Sequence, residues 1–213
     1  MTRSKIHSRD TVIFDVDDTL GYFTKSFDIW LANQCGSPVP DRNIFRQYDL
    51  LAPFKGYLSP GTTAIQVLEA FEASGRISDP EYFIPTSVVD LARQVKMAGC
   101  NVVALTARAW MKDGEKTTGD WLESLGIFMP VHVLDLKDSK ADWINQNLNA
   151  GKLRGNIWMF EDNPHHIQDI VYKCGRVEIP FVVDHPHNRH LSPTTFHRRV
   201  DPDSNTWTSS WPN

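Results

Sequence analysis

The chain contains few cysteines, no long apolar run and no excess of basic residues. Its three cysteines, Cys35, Cys100 and Cys174, are odd in number and widely spaced, which excludes a disulfide framework and favours a reducing compartment. No segment approaches the roughly 20 apolar residues that a membrane-spanning helix needs. The net charge of −4 argues against a protein that coats nucleic acid through a basic surface. The polar N-terminus lacks the apolar centre of a signal peptide, so we expect a soluble cytoplasmic protein with no membrane partner.

The 213 residues do contain a regular alternation of strand-like and helix-like segments. β-prone runs predict five strands, over residues 11–15, 101–106, 131–134, 156–160 and 177–183. Amphipathic patterns predict helices over 87–98, 116–125 and 139–148, and Pro164 is placed to open a fourth helix at its first turn. Repeated strand–helix–strand units indicate an α/β fold in which helices cover a parallel sheet.

Residues 21–85 interrupt this alternation. They show no clear strand but many aromatic residues: Tyr22, Phe23, Phe27, Trp30, Phe45, Tyr48, Phe54 and Tyr57. A structureless loop of this length is improbable inside a compact domain, so we expect a small helical cap over the end of the first strand. Residues 1–20 and 86–213 then form the main domain. Its tail, 184–213, is expected to wrap the surface with Trp207 and Trp211 as anchors.

Polar residues that suit a single reactive site follow four of the predicted strands. They are Asp15 and Asp17 after the first strand, Thr106, Ala107 and Arg108 at the second, Lys140 after the third, and Glu161 and Asp162 at the fourth. Each group alone is a weak signal, since such residues commonly cap helices or form turns. The carboxyl ends of parallel strands meet at one edge, where open sheets bind their ligands. The sequence therefore predicts acids, a hydroxyl and an ammonium together at that edge.

This ordered set resembles the motifs of the haloacid dehalogenase superfamily of phosphotransferases, over about residues 11–183. The resemblance implies a Rossmann-like three-layer core with a cap, and the hydrolysis of phosphate monoesters. It implies that Asp15 attacks phosphorus to form an aspartyl-phosphate, while Asp17 protonates the leaving oxygen and later activates water. It also implies that Thr106 and the amide of Ala107 hold the phosphoryl oxygens, and that Lys140 offsets their charge.

The same resemblance implies Mg²⁺ as the cofactor. Hard oxygen ligands for it would come from Asp15, the backbone carbonyl of Asp17, and Asp162. Glu161 is expected to support these ligands rather than to bind the metal itself. Asp18 occupies a position where many members carry glycine, which affects the flexibility of the turn.

Within the superfamily, the chain is most similar to the 5′(3′)-deoxyribonucleotidases. The likeness lies in the run from Asp15 to Phe23, in the size of the insertion, and in a C-terminal set: His187 to Leu191, Arg198, Arg199, Trp207 and Trp211. It implies a small phosphorylated substrate, a nucleoside monophosphate, whose base stacks on Phe23. The chain departs from that family at Asp18-Thr19 and at Arg108, which follows Thr106-Ala107. Arg108 therefore indicates a substrate with further anionic or planar groups.

Other functions remain open. Polynucleotide 3′-phosphatases also carry an arginine in the second motif, and residues 110–121, with Lys112 and Lys116, are a candidate path for a nucleic-acid end. A solvated loop explains the same residues, and the acidic balance favours it. A small-metabolite phosphatase is a further alternative. An inactive binding module would have no need to retain the whole reactive set.

The histidines suggest a different class of site. His185, His187 and His190, with His165 and His166, raise the possibility of a zinc or iron centre. Their spacing fits no standard Cys/His zinc pattern, and no cysteine lies close in sequence. Helix-capping and surface roles are therefore expected for most of them.

Overall fold

Six short strands lie side by side in one sheet whose pairings are all parallel. They are β1 (Thr11–Phe14), β2 (Asn101–Thr106), β3 (Val131–Val133), β4 (Ile157–Glu161), β5 (Val177–Val183) and β6 (Arg198–Val200), in the order β3-β2-β1-β4-β5-β6. The computed structural model describes residues 6–44, 49–175, 177–191 and 198–204. The predicted α/β class with a parallel sheet is confirmed. β6 was not predicted, because three residues within a polar tail give no strand signal.

The described helices are α1 (Phe23–Cys35), α2 (Ala64–Ala73), α3 (Val88–Met97), α4 (Gly114–Ser124), α5 (Lys140–Asn149) and α6 (Pro164–Lys173). The last four cover the two faces of the sheet, α3 and α4 on one face and α5 and α6 on the other. Alternate residues of β1 set the two layers, since successive strand side chains point to opposite faces. Val12 and Phe14 join a cluster that includes Leu91 of α3, whereas Ile13 joins a second cluster with Ile144 of α5.

The insertion between β1 and α3 is helical in its described part. It contains α1 and α2 and two 3-10 turns, Arg42–Ile44 and Ala52–Phe54. Phe27, Trp30 and Phe71 pack ring against ring, with centroids 5.2–6.0 Å apart. These rings belong to the same hydrophobic cluster as Phe14 of the sheet, so the insertion is fastened to the main domain by shared apolar packing.

Residues 201–204, called here the C-terminal arm, lie against the two chain segments that connect the insertion to the rest of the protein. The backbone N–H of Tyr22 donates to the carbonyl of Ile84 at 2.9 Å, which joins the two segments. The arm binds both: the N–H of Ser87 donates to the carbonyl of Pro202 at 2.9 Å, and the hydroxyl of Tyr22 donates to Asp203. Residues 202 and 203 of the tail thus lie against both connecting segments, while Trp207 and Trp211 lie outside the described residues. Among the described helices, none is both long and apolar enough to cross a membrane.

Candidate functional site

A tight turn after β1 carries the first two acids. The N–H of Asp15 still donates to the carbonyl of Phe160 at 2.9 Å, so β1 keeps its pairing with β4 up to this residue. The chain then reverses through Asp18, which adopts the left-handed conformation with φ 55°. Aspartate tolerates this region better than most residues, which explains how it replaces glycine here. Its carboxylate also accepts a hydrogen bond from the N–H of Thr24 at 2.9 Å and so caps the start of α1.

Asp15 lies beside Lys140 at the centre of the site. The ammonium of Lys140 donates to Oδ1 of Asp15 and, at 2.7 Å, to Oε2 of Glu161, and all three side chains are buried. Burial raises the pKa of Asp15 to about 8, against the attraction of Lys140. Burial also opposes ionisation of Glu161, but Lys140 outweighs it and lowers the pKa of that carboxyl. No described residue donates a hydrogen bond to Oδ2 of Asp15, and Asp15 lines the cleft that is described below.

Three buried carboxylates are grouped closely enough to hold one cation. One oxygen each from Asp15, Glu161 and Asp162 lies within 4.8 Å of the others. The pKa of Asp162 is raised well above its usual value, first by burial and then by the neighbouring charges of Glu161, Asp18 and Asp15. Of the three, Glu161 already uses both oxygens, since Oε1 accepts the N–H of Asn163 at 3.0 Å and Oε2 binds Lys140. Asp15 and Asp162 are therefore the side chains best placed to bind a cation.

The charges of this group fit a divalent cation. Three carboxylates carry three negative charges and Lys140 carries one positive charge, which leaves two negative charges when all are ionised. Unpaired charge in a buried site is costly, and carboxylates that lack a counter-ion tend to take up protons instead. Mg²⁺ supplies the missing two charges and prefers carboxylate oxygen. The donor set thus suits the metal that the sequence resemblance implies.

Asp17 faces away from this carboxylate group, toward β2. Its two oxygens accept hydrogen bonds from Nε and Nη2 of Arg108 at 2.5–3.1 Å, and the hydroxyl of Thr106 lies 3.5 Å away. The carboxylate of Asp17 is outside the group of side chains that could hold a cation. Thr106 itself is fully buried beside Asp17.

Arg108 lies inside the protein rather than at the substrate side of the cleft. Its side chain is completely buried, donates through Nη1 to the hydroxyl of Thr118 at 3.0 Å, and rests over the ring of Phe83. The sequence assigned this arginine to the substrate, but in the structure its guanidinium is fully engaged within the protein. Arg108 therefore fixes the orientation of Asp17.

A cleft of about 210 Å³ opens onto Asp15 and Asp17. Ala107 and Lys140 also line it, as do the apolar residues Phe23, Leu50, Leu68, Trp110 and Leu136, and His165 and His166 of α6. Phe23 is 3% exposed and its ring packs on Phe27 and Phe71, so little of it is free to stack on a ligand. The half-buried Trp110, in the loop after β2, is the better-placed aromatic surface.

The candidate nucleic-acid path, residues 110–121, runs from the loop after β2 into α4. The backbone N–H of Lys112 donates to Glu72 of the insertion at 2.9 Å, the ammonium of Lys116 pairs with Asp120, and Thr118 is buried against Arg108. Lys116 and Thr118 therefore have partners within the protein, while the Lys112 side chain is exposed.

The histidines do not form a metal centre of their own among the described residues, where the carboxylate group above is the only cluster of metal-ligand side chains. One of them still belongs to the site. Nε2 of His187 lies 2.8 Å from Oδ2 of Asp162. No motif in the sequence indicates this contact, although His187 follows the end of β5 and so lies at the same edge of the sheet as the other site residues.

Comparison with known proteins supports the fold. No protein-family model matches the chain, and no curated relative is found. A haloacid dehalogenase-like hydrolase of Streptococcus pneumoniae matches with a TM-score of 0.55 at 19% identity, over 83% of this chain and 85% of that one. Protein tyrosine kinase A of Mycobacterium tuberculosis matches with a TM-score of 0.60 at 20% identity, over 91% of this chain and 94% of that one. CbbY of Rhodobacter sphaeroides, solved with xylulose-(1,5)bisphosphate, matches with a TM-score of 0.54 at 16% identity, over 91% of this chain and 94% of that one. The chain thus has the α/β fold of haloacid dehalogenase-like hydrolases.

Proposed function

We propose that this protein is a Mg²⁺-dependent phosphomonoesterase that works through an aspartyl-phosphate. The observation that carries the proposal is the group at the sheet edge: Asp15, which lines the cleft, Lys140 beside it, and three buried carboxylates close enough to hold one divalent cation. A phosphate monoester is a dianion and repels a carboxylate nucleophile, so positive charge must gather around it. Lys140 and the cation supply that charge, and both favour the ionised form of Asp15.

Asp15 and Asp17 carry the two covalent steps of the proposed reaction. Oδ2 of Asp15 forms a bond to phosphorus while the bond from phosphorus to the ester oxygen breaks. That oxygen receives a proton from Asp17, which first has to leave its pair with Arg108 and take up a proton. Water then attacks phosphorus, Asp17 takes the water's proton, and the bond to Asp15 breaks, which releases inorganic phosphate and restores the enzyme. Asp15, the backbone carbonyl of Asp17, and Asp162 would hold Mg²⁺, which would supply positive charge beside the phosphoryl oxygens. The amide of Ala107 binds one of these oxygens. Thr106 was expected to bind them too, but it is fully buried, does not line the cleft, and supports Asp17 instead.

The proposed substrate is a nucleoside monophosphate, with residues 21–85 acting as the cap over its leaving group. Apolar and aromatic side chains line the cleft opposite the acids, among them Leu50, Leu68 and Trp110. A nucleobase offers a flat surface for Trp110, and such a stack contributes roughly 1–3 kcal/mol. The cleft volume of about 210 Å³ is small for a nucleotide, so the cap has to open for such a ligand to enter. The same volume favours a small phosphorylated metabolite as the second candidate.

Phosphate release from a panel of esters tests the activity and the substrate together. With Mg²⁺ present, we expect turnover of deoxynucleoside and ribonucleoside monophosphates, with sugar phosphates and a 3′-phosphorylated oligonucleotide as competing classes. Preference for sugar phosphates would move the assignment to the small-metabolite class. Preference for the oligonucleotide would favour nucleic-acid end repair, and no release from any ester, p-nitrophenyl phosphate included, contradicts the proposed function.

Removal of metal should abolish activity. Without a divalent cation, the raised pKa values of Asp15 and Asp162 favour their protonated forms, which removes the nucleophile and leaves the phosphoryl charge without its counter-ion, so turnover should fall by at least about 10³-fold. Exhaustive EDTA treatment followed by gel filtration gives the metal-free protein, and added Mg²⁺ should restore the rate. A control with EDTA already saturated by Mg²⁺ shows that the chelator itself does no harm. Unchanged turnover in the metal-free protein contradicts the role of Mg²⁺.

A further inference from the structure

Asp162 is held in place by the turn that follows β5. Oδ2 of Asp162 contacts Nε2 of His187 at 2.8 Å, and its backbone carbonyl accepts the side-chain amide of Asn188 at 2.8 Å. The Asp162 side chain is 3% exposed and lies beside two other carboxylates. Like charges at this distance repel, so an unsupported carboxylate would rotate away or take up a proton. The contact from His187 holds the carboxylate in one orientation, and the contact from Asn188 fixes the backbone beneath it.

The turn that carries His187 is itself tightly fixed. The amide of Asn188, which is completely buried, also donates to the carbonyl of Val183 at 2.6 Å. Arg199 of β6 donates to the side-chain and backbone oxygens of Asn188, each at 2.8 Å. The ring of His187 lies parallel to the ring of His185, with an interplanar angle of 1° and centroids 5.5 Å apart. The imidazole of His187 therefore has one defined position.

Nε2 of His187 is within hydrogen-bond distance of Oδ2 of Asp162. Metal binding requires the ionised form of Asp162, and the ionised carboxylate can accept a hydrogen bond from Nε2–H of His187. Oδ2 is taken by this hydrogen bond, which leaves Oδ1 as the oxygen for a cation.

We propose that His187 is a positioning residue for the metal site, acting through its hydrogen bond to Asp162. This inference rests on the proposed function, since it concerns the same cation. Partners of this kind orient ligating carboxylates, and their loss commonly weakens metal binding by about 10–100-fold. The histidines of the C-terminal segment thus gain a role that their spacing alone does not indicate.

Metal titration calorimetry on the chelator-treated full chain tests the proposal without any turnover. With Mn²⁺ as the probe, we expect His187→Leu to weaken binding by about 10–100-fold. His187→Gln should recover much of the affinity, because its amide nitrogen reaches about as far as Nε2. His187→Asn should not recover it, because its shorter side chain does not reach Asp162. His190→Gln is the matched control, since His190 is exposed on the same turn.

Several outcomes distinguish this proposal from the proposed function. Equal Mn²⁺ affinity in wild type and folded His187→Leu contradicts the positioning role, even if the protein is a phosphatase. If His187→Leu does not fold, equal affinity of the Gln and Asn variants contradicts it in the same way, as does a wild type that binds no Mn²⁺. If binding depends on His187 but no ester is hydrolysed, the positioning role stands and the proposed function fails. In an active enzyme, we expect a higher metal requirement in His187→Leu with a nearly unchanged kcat at saturating metal.

Discussion

Asp15→Asn should abolish phosphate release while the protein remains folded. The amide keeps an oxygen that can accept the hydrogen bond from Lys140, so the packing of the buried group is preserved. The amide is a very poor nucleophile, however, and cannot form the aspartyl-phosphate. Loss of a catalytic nucleophile typically costs a factor of about 10⁴ to 10⁶ in kcat, and we expect a loss in that range.

The measurement is steady-state phosphate release by purified protein, with folding checked by circular dichroism and thermal melting. Asp120→Asn is the matched control, because Asp120 is an exposed residue of α4 whose partner is Lys116. The control should retain wild-type turnover. Activity within about tenfold of wild type in folded Asp15→Asn would show that another group attacks phosphorus.

Lys140→Met should cause the largest loss of stability of any single substitution in the site. Met has about the length of Lys and fills its space, but it leaves Asp15 and Glu161 as adjacent buried carboxylates without their shared cation. Breaking a buried ion pair by removing one partner typically costs about 3–5 kcal/mol. We expect a decrease of that size in the free energy of unfolding, together with a severe loss of turnover because the developing phosphoryl charge is no longer offset.

Urea unfolding with EDTA present measures this stability change, since bound metal would otherwise compensate for the missing charge. Lys173→Met is the control: Lys173 makes its ion pairs at the protein surface, and exposed pairs contribute little. Its unfolding midpoint should stay close to that of wild type. A Lys140→Met protein as stable as wild type would mean that the buried carboxylates are neutral in the folded protein.

The sequence predicted where the strands end, and that was enough to group the main acids. Asp15 and Asp162 follow strands β1 and β4, which are neighbours in the sheet, so their separation of 147 positions along the chain does not matter. Lys140 opens the helix after β3 and reaches the same edge. In each case, the residue follows a parallel strand, and the ends of these strands lie at the same edge of the sheet.

Side-chain direction was harder to predict than position. Arg108 was placed correctly at the end of β2, but its guanidinium turns inward because Asp17, Thr118 and Phe83 surround it there. Phe23 was likewise placed at the cleft, but it is mostly covered by Phe71 from a distant helix. Such contacts depend on tertiary packing, which no local pattern encodes.

Under the proposed function, the hydrophobic cluster shared by the insertion and the sheet limits how substrate preference can change. A different insertion would have to cover Phe14 and its neighbours in the same way. The cleft rim has no such constraint, since Leu136 is 58% exposed and Trp110 is half-buried in a loop. For the proposed enzyme, substitution of single rim residues is therefore the easiest way to change specificity.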